Sequence, residues 1–190
     1  MPSARAKNYT KAKSGEDDQM NFRVPQRLES ERLILRQFRE SDWHDLHEYY
    51  SDEIATSFTF GHALSEGDTW RTMCGMIGHW QVRGYGPYAV EEKSSGTVLG
   101  TVGFWYPNDW PEPEIKWGLV RRHWGQGFAK EAAALVHATG REHMPEFAMI
   151  SLIHPDNKAS IGVALAIGAT LERTIDYEGE PHGVYRHKST

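Results

Sequence analysis

The sequence has few of the features that mark secreted or membrane-bound proteins. It contains one cysteine, Cys74, so no intrachain disulfide can form and a reducing compartment is expected. No apolar run approaches the length of a membrane span. The N-terminal residues carry basic and then acidic side chains, without the apolar core of a signal peptide. These absences predict a cytoplasmic protein that does not bind membranes.

Positive charge is also scarce. The chain has 21 Lys and Arg residues against 26 Asp and Glu residues, and its formal net charge is −5. Because nucleic-acid phosphates favour basic surfaces, this balance argues against nucleic acid as a partner, and it is compatible with a cationic acceptor. No Cys/His zinc pattern occurs, and His44 and His47, at i and i+3, lack a Glu or Cys companion. We therefore predict no metal site.

The remaining composition is typical of one globular domain. Hydrophobic residues make up 39% and charged residues 25% of the 190 positions. We interpret residues 1–24 as a flexible N-terminal tail and residues 25–190 as a single domain. Hydrophobic periodicity and turn signals predict one mixed α/β structure. Strands are predicted at 32–38, 88–92, 97–106, 114–120, 149–153, 170–177 and 183–187, and helices at 41–50, 65–83, 127–143 and 157–167, the first two beginning at Ser41 and Ser65.

A glycine-rich loop between a predicted strand and a predicted helix is the most informative segment. The strand ends at Val120, the loop carries Gly125 and Gly127, and the helix follows at once. A helix N-terminus presents unpaired backbone N–H groups and the positive end of the helix dipole, and glycines let an anion approach the backbone. The segment therefore predicts a site for a phosphate or pyrophosphate. An ordinary strand-to-helix turn is the alternative.

Other interpretations of the glycines are weaker. The same spacing occurs a second time, at Gln81-x-x-Gly84-x-Gly86, but that copy follows a helix and runs into a strand, so no helix N-terminus faces its glycines. A Walker loop would need a lysine where Phe128 stands, and a dinucleotide-binding fingerprint would need a glycine where Lys130 stands.

The spacing Arg122-x-x-Gly125-x-Gly127 resembles the coenzyme A pyrophosphate motif of the GNAT superfamily of N-acetyltransferases. Two further segments look like its branch that contains ribosomal-protein-alanine acetyltransferases: 150–160, with Pro-x-Asn-x-x-Ser, and 28–38, with Ser-x-Arg-Leu-x-Leu-Arg. The resemblance extends over about 28–187. It implies the GNAT fold, an α/β (α+β) structure with a mixed, mostly antiparallel, splayed sheet flanked by helices, and a single N-acetyltransferase domain over 25–190.

The resemblance also implies acetyl-CoA as the acyl donor. The pyrophosphate is expected at the glycine loop, the pantetheine arm beside Asn157, and the sulfur near Ser160. A backbone N–H at the splayed strand edge, at about Leu119–Val120, is expected to polarise the thioester carbonyl. Plain helix capping, with Asn157 as N-cap and Ser160 at N3, is the alternative. The implied cofactor-binding residues are Leu119, Val120, Arg122, Gly125, Gln126, Gly127, Phe128, Ala129, Asn157 and Ser160.

Three side chains are catalytic candidates. Glu114 opens the strand before the glycine loop, and carboxylates at this position in related enzymes draw a proton through water. Burial would have to raise its pKa for this work at neutral pH, and a solvated charge in an acidic loop is the alternative. His154 has a suitable intrinsic pKa, although it fits an outward-facing position equally well. Ser160 could protonate or hydrogen-bond the leaving thiolate.

The predicted function is acetyl-CoA-dependent N-acetyl transfer to a primary amine, on a small molecule or at a protein N-terminus. The alternatives are a non-catalytic acyl-CoA-binding or sensing module, an adapter that binds another protein, and an enzyme that uses another acyl group, such as succinyl. A homodimer is compatible with the sequence. Five aromatic residues near the loop either line an acceptor pocket or pack against the sheet: Trp105, Tyr106, Trp110, Trp117 and Trp124.

Overall fold

A computed structural model describes residues 22–188 of the chain. The predicted tail, residues 1–24, lies outside this range except for its last three residues, of which Val24 is buried in the core, so the tail boundary stays a prediction. The strands are β1 (Arg27–Glu29), β2 (Leu33–Arg36), β3 (Pro87–Glu92), β4 (Val98–Trp105), β5 (Glu114–Leu119), β6 (Ile150–Ile153), β7 (Thr170–Tyr177) and β8 (Glu180–Arg186). The helices are α1 (Trp43–Tyr50), α2 (Glu53–Thr56), α3 (Glu66–Arg83), α4 (Phe128–His143) and α5 (Lys158–Ala166).

The strands form one sheet in the order β1-β2-β3-β4-β5-β6-β8-β7. Neighbouring strands are antiparallel, except that β5 and β6 run parallel. In the described chain β5 and β6 share a single paired position, Glu114↔Ile150, whereas β5 pairs with β4 along its whole length. The predicted mixed, mostly antiparallel and splayed sheet is confirmed.

The two faces of the sheet are covered by different helices. Leu46 of α1 and Met73 of α3 pack against Ala89 on one face, which we call the α1–α3 face. Ala132 and Val136 of α4 belong to the main core on the other face, and α5 packs against β6 there. We call this side the α4–α5 face. A ligand in the gap between β5 and β6 can therefore meet a different set of side chains on each face.

Local capping explains most of the helix boundaries. Ser65 accepts the N–H of Asp68 at 3.2 Å and α3 ends at Gly84, which has a φ of 76°, as the sequence predicts. The first predicted helix differs at its start: a 3-10 turn spans Glu40–Asp42, and α1 begins at Trp43 rather than at a Ser41 cap. Helix α2 and strand β1 were not among the predicted elements.

No helix within residues 22–188 is long and apolar enough to cross a membrane. Over the same residues, no three or more His, Cys, Asp or Glu side chains are grouped so that they could hold a metal ion.

A buried ion pair explains the later start of α1. Arg36, on β2, donates to both carboxylate oxygens of Asp42 at 2.7 and 3.0 Å, and to Glu91 of β3 at 2.7 Å. Arg36 and Asp42 are 7% and 5% exposed, so water screens the pair weakly. The Asp42 carboxylate is thus fixed at the sheet, and the chain must turn around it before α1 begins.

We predict that Arg36→Met lowers the free energy of unfolding by about 3–5 kcal/mol, because the variant leaves the Asp42 carboxylate buried without its partner. The matched control is Arg27→Met, which breaks an exposed pair with Glu29 and is expected to change the free energy of unfolding far less, because water screens that pair. Urea denaturation of both variants measures the difference. Equal losses would contradict the role given to the Arg36 cluster.

Candidate active site

Past their single ladder pairing, β5 and β6 separate and leave a gap in the middle of the sheet. Before the gap, Ile150 donates its N–H to the Pro113 carbonyl at 2.9 Å. Val120 donates its N–H to the Leu99 carbonyl at 2.8 Å, on the β4 side. Because backbone groups alternate between the two edges of a strand, the N–H of Leu119 points the other way, towards the gap. Of the two predicted positions, Leu119 is the one whose N–H faces the gap.

Glu114 lies at the narrow end of the gap, where the two strands part. Its Oε1 accepts the N–H of Leu152 at 2.9 Å, and its Oε2 accepts the indole N–H of Trp110 at 2.7 Å. The residue is 5% exposed, and this burial raises its pKa to about 7, although Leu152, Lys116 and Trp110 oppose the shift. A carboxyl group with this pKa exchanges protons near neutral pH, as a general base must.

Lys116 shares the face of β5 with Glu114, since alternate residues of a strand point the same way. Its Nζ lies 4.6 Å from the ring centroid of Trp105, and burial lowers its pKa while Glu114 opposes that shift. Gly118 follows on the same face, where a Cβ would stand 2.5 Å from the Tyr49 hydroxyl. Lys116 was not among the predicted site residues, although its spacing of two from Glu114 on a predicted strand was a visible signal.

On the α4–α5 face the gap is bridged by a side-chain contact. Trp117 of β5 donates its indole N–H to Ser160 Oγ of α5 at 3.2 Å. Ser160 also donates its backbone N–H to Asn157 Oδ1 at 3.1 Å. Asn157 therefore caps α5, as the capping alternative predicted, and Ser160 Oγ, which accepts from Trp117, keeps its own O–H as a donor.

The glycine loop ends where α4 begins. Gly125 and Gly127 have φ values of 73° and 82°, a left-handed conformation that favours glycine. Gly127 is the N-cap of α4, and no described side chain caps this helix end. Phe128 is buried in the core and Ala129 packs against it, so these two residues have only backbone N–H groups to offer an anion. Gln126 turns its side-chain amide back to the Arg122 carbonyl at 3.0 Å.

The arginines before the loop are paired with the α1–α2 segment. Arg122 forms an ion pair with Glu48 of α1 and donates to His123 Nε2 at 3.0 Å. Arg121 donates to Asp52, the N-cap of α2, at 2.7 Å. These four charged residues and Val120 line a cleft of about 330 Å³. An anion at the loop would compete with Glu48 for Arg122.

Arg32 and Glu131 hold the loop in place, although neither was among the predicted site residues. Arg32 donates its Nη1 to the Gln126 carbonyl at 3.0 Å and its Nε to Glu131 of α4 at 2.7 Å. Its guanidinium lies 4.3 Å from the ring centroid of Phe128. Ser30 also donates to Glu131, at 2.7 Å. The signal was present in the Ser-x-Arg pattern of the opening segment, but no spacing rule links it to a loop almost a hundred residues later.

His154 lies apart from Glu114, just beyond the end of β6. Its Nδ1 accepts the N–H of Asp156 at 3.1 Å, and its Nε2 lies 3.9 Å from Glu180. Phe58 stacks on the ring with a centroid distance of 5.3 Å. Because Nδ1 is engaged as an acceptor, the neutral ring carries its proton on Nε2.

The second copy of the glycine spacing has a structural role. Gly84 ends α3 in a left-handed conformation, and a Cβ on Gly86 would stand 2.6 Å from the Trp80 ring. The copy therefore sits at a helix C-terminus, where the dipole repels anions.

Comparisons with known proteins agree on one family for this chain. A family model described as an acetyltransferase (GNAT) domain matches residues 32–170. The protein YkkB of Bacillus subtilis (strain 168) is 38% identical over 112 residues, which span 56% of this chain and 64% of that relative, slightly less than two thirds of it. The protein named uncharacterized N-acetyltransferase p20, of Bacillus licheniformis, is 29% identical over 154 residues, 80% of this chain and 86% of its own length.

Solved structures share the fold. An acetyltransferase from Agrobacterium tumefaciens str. C58 matches with a TM-score of 0.76 at 27% identity, covering 87% of this chain and 95% of that one. A ribosomal L7/L12 alpha-N-protein acetyltransferase in complex with coenzyme A matches with a TM-score of 0.68 at 22% identity, covering 86% and 96%, which is likeness of fold alone. Given the family match over residues 32–170, the chain belongs to the GNAT acetyltransferase family.

Proposed function

We propose that the protein is an acetyl-CoA-dependent N-acetyltransferase that acts on a primary amine. The observation that carries the proposal is the gap between β5 and β6, which has beside it a helix N-terminus that no described side chain caps and, at its narrow end, a buried Glu114 with a pKa raised to about 7. The single cysteine supports a cytoplasmic location. A named N-acetyltransferase among the relatives supports the reaction type.

The residues at the glycine loop fit coenzyme A. The left-handed Gly125 and Gly127 leave the start of α4 open to a pyrophosphate, and Arg122, which is paired with Glu48, can exchange that partner for the anion. Asn157 keeps its amide N–H groups for the pantetheine arm, because only its Oδ1 is engaged in capping. When bound, acetyl-CoA supplies an acyl carbon that is attached to a good leaving group.

The chain's own groups can then move the protons. Glu114 accepts the proton that converts the ammonium to a nucleophilic amine. The N–H of Leu119 is a donor at the gap edge for the acyl oxygen. As the new C–N bond forms and the C–S bond breaks, the nitrogen loses a second proton and the sulfur gains one. The Ser160 Oγ accepts the Trp117 indole N–H. The hydroxyl hydrogen of Ser160 is therefore left to donate to that sulfur.

Glu114 is a better candidate for the base than His154. The His154 Nδ1 is engaged with the Asp156 N–H, so protonating it would break a hydrogen bond. Glu114 lies where β5 and β6 part, whereas His154 follows the far end of β6. A non-catalytic acyl-CoA-binding module would not need a buried carboxylate with a raised pKa, which costs stability whenever it ionises.

We predict that Gly127→Glu abolishes acetyl-CoA binding. The wild-type protein should bind with a Kd on the order of 1–100 μM, and the new carboxylate should repel the pyrophosphate and raise the Kd more than about 100-fold. Gly96→Glu is the matched control, because Gly96 also has a positive φ, 72°, but lies in the exposed β3–β4 turn. Calorimetric titration measures both. Wild-type protein that folds but does not bind acetyl-CoA would overturn the proposed function.

We predict that Glu114→Gln lowers kcat by about 100-fold or more, the usual contribution of a general base, while the Kd for acetyl-CoA changes little. In the wild type, activity should rise with pH and level off above about 7, since the Glu114 carboxyl must be ionised to accept a proton. This rise of activity with pH should disappear in Glu114→Gln and persist in His154→Gln. The reverse pattern in pH–rate profiles would assign the base to His154.

A further inference from the structure

Five ring-bearing side chains touch one another in a continuous run beside the gap, on the α1–α3 face. His154, stacked under Phe58, meets His182 with ring centroids 5.5 Å apart. His182 contacts Tyr177 at 5.5 Å, and Tyr177 contacts Trp110 at 5.1 Å. We call this run the aromatic arc; it consists of Phe58, His154, His182, Tyr177 and Trp110.

The aromatic arc leads from the protein surface to the proposed base. At one end, the Trp110 indole N–H donates to Glu114 at 2.7 Å. At the other end, Phe58 is 41% exposed, and the four remaining rings are half-buried. A contiguous run of rings that stays partly exposed is unusual in a core and typical of a ligand site.

The loop that carries Trp110 is fastened across the sheet. Its Glu112 forms ion pairs with Arg173 of β7 at 2.6 Å and with Arg186 of β8 at 2.7 Å. Both arginines also pair with Glu172, at 2.5 Å each. These contacts neutralise the two cations and hold Trp110 over Tyr177. The loop thus forms a fixed wall, and these arginines are not free to bind an anionic substrate.

The charge along the aromatic arc is negative. Glu180 approaches His154 to 3.9 Å, and Asp109 and Glu178 flank Trp110 and Tyr177 in the sequence. Burial first, and then the charges of Glu178, Asp109 and Glu114, raise the pKa of Tyr177 to about 12. On β5, the cation nearest in sequence to Glu114 is Lys116, which is itself held over Trp105 at 4.6 Å.

Resting on the proposed function, we propose that the acceptor is a primary arylalkyl amine with no carboxylate beside its amino group. The ring of such a molecule can stack along the aromatic arc, and its ammonium is attracted by the acidic side chains and the ring faces as it approaches Glu114. A carboxylate next to the amine would meet the same negative charges and be repelled.

A matched set of acceptors tests the proposal: phenethylamine, phenylalanine amide and phenylalanine, with an alanine-initiated pentapeptide as a fourth arm. Thiol release from acetyl-CoA measures kcat/KM for each. Phenethylamine and the amide should be acetylated with kcat/KM about 100-fold above that of phenylalanine, because the three share a ring and an amine and only phenylalanine carries the repelled charge. Calorimetric titration of these three compounds into the CoA-loaded protein should give affinities in the same order, and this measurement does not require turnover.

Variants connect the selectivity to the aromatic arc. Tyr177→Leu should raise the KM for phenethylamine by about fivefold with little change in kcat, because stacking is lost and Glu114 is retained. Glu178→Gln should lower the ratio of kcat/KM for phenylalanine amide to kcat/KM for phenylalanine. Trp70→Leu is the control, since Trp70 is an aromatic of α3, 45% exposed and outside the aromatic arc, and it should leave both parameters unchanged.

The outcomes separate this inference from the proposed function. Equal or better acetylation of phenylalanine or of the pentapeptide would overturn the inference and leave the acetyltransferase intact. Acetyl-CoA binding without acetylation of either arylalkyl amine would also overturn it. Failure to bind acetyl-CoA at all would overturn both, and the Gly127→Glu titration detects that case independently.

Discussion

The parting of β5 and β6 after one pairing is the constraint on which the site depends. Two parallel strands that separate expose backbone groups in the middle of a sheet, where they must find other partners. The Glu114 carboxylate meets this need at the narrow end by accepting the Leu152 N–H, and the Trp117–Ser160 contact spans the gap further along. Further along β5, the N–H of Leu119 faces the gap. The catalytic candidates are therefore also the groups that stabilise an interrupted sheet.

The gap has opposite electrostatic character on its two sides. Beside α4, a helix N-terminus that no described side chain caps favours an anion. On the other face lie Glu114 and the acidic residues near the aromatic arc, which favour a cation. An anionic donor and a cationic acceptor would thus approach from regions that each repel the wrong partner, and they would meet only at the gap.

Local features of the site were predictable from the sequence, and long-range contacts were not. The Ser65 cap and the positive φ at Gly125 and Gly127 follow from neighbouring residues alone. By contrast, the start of α1 depends on the buried cluster of Asp42 with Arg36 of β2, which also holds Glu91 of β3, 55 residues away from Arg36. The assignment of Leu119 rather than Val120 required knowing which edge of β5 pairs with β4. The aromatic arc joins rings from four separate parts of the chain, so no sequence pattern could reveal it.

The tie between Arg32 and the glycine loop has a consequence for folding. Arg32 lies 99 residues before Glu131 and 94 residues before Gln126 in the chain. Closing so long a loop costs conformational entropy before any contact can offset it. The glycine motif is therefore completed by tertiary structure and is not a self-contained turn. A ribosome that has released β5 and α4 has already supplied Arg32, so the loop can mature during synthesis. An excised strand–loop–helix peptide would carry the motif without the clamp that shapes it.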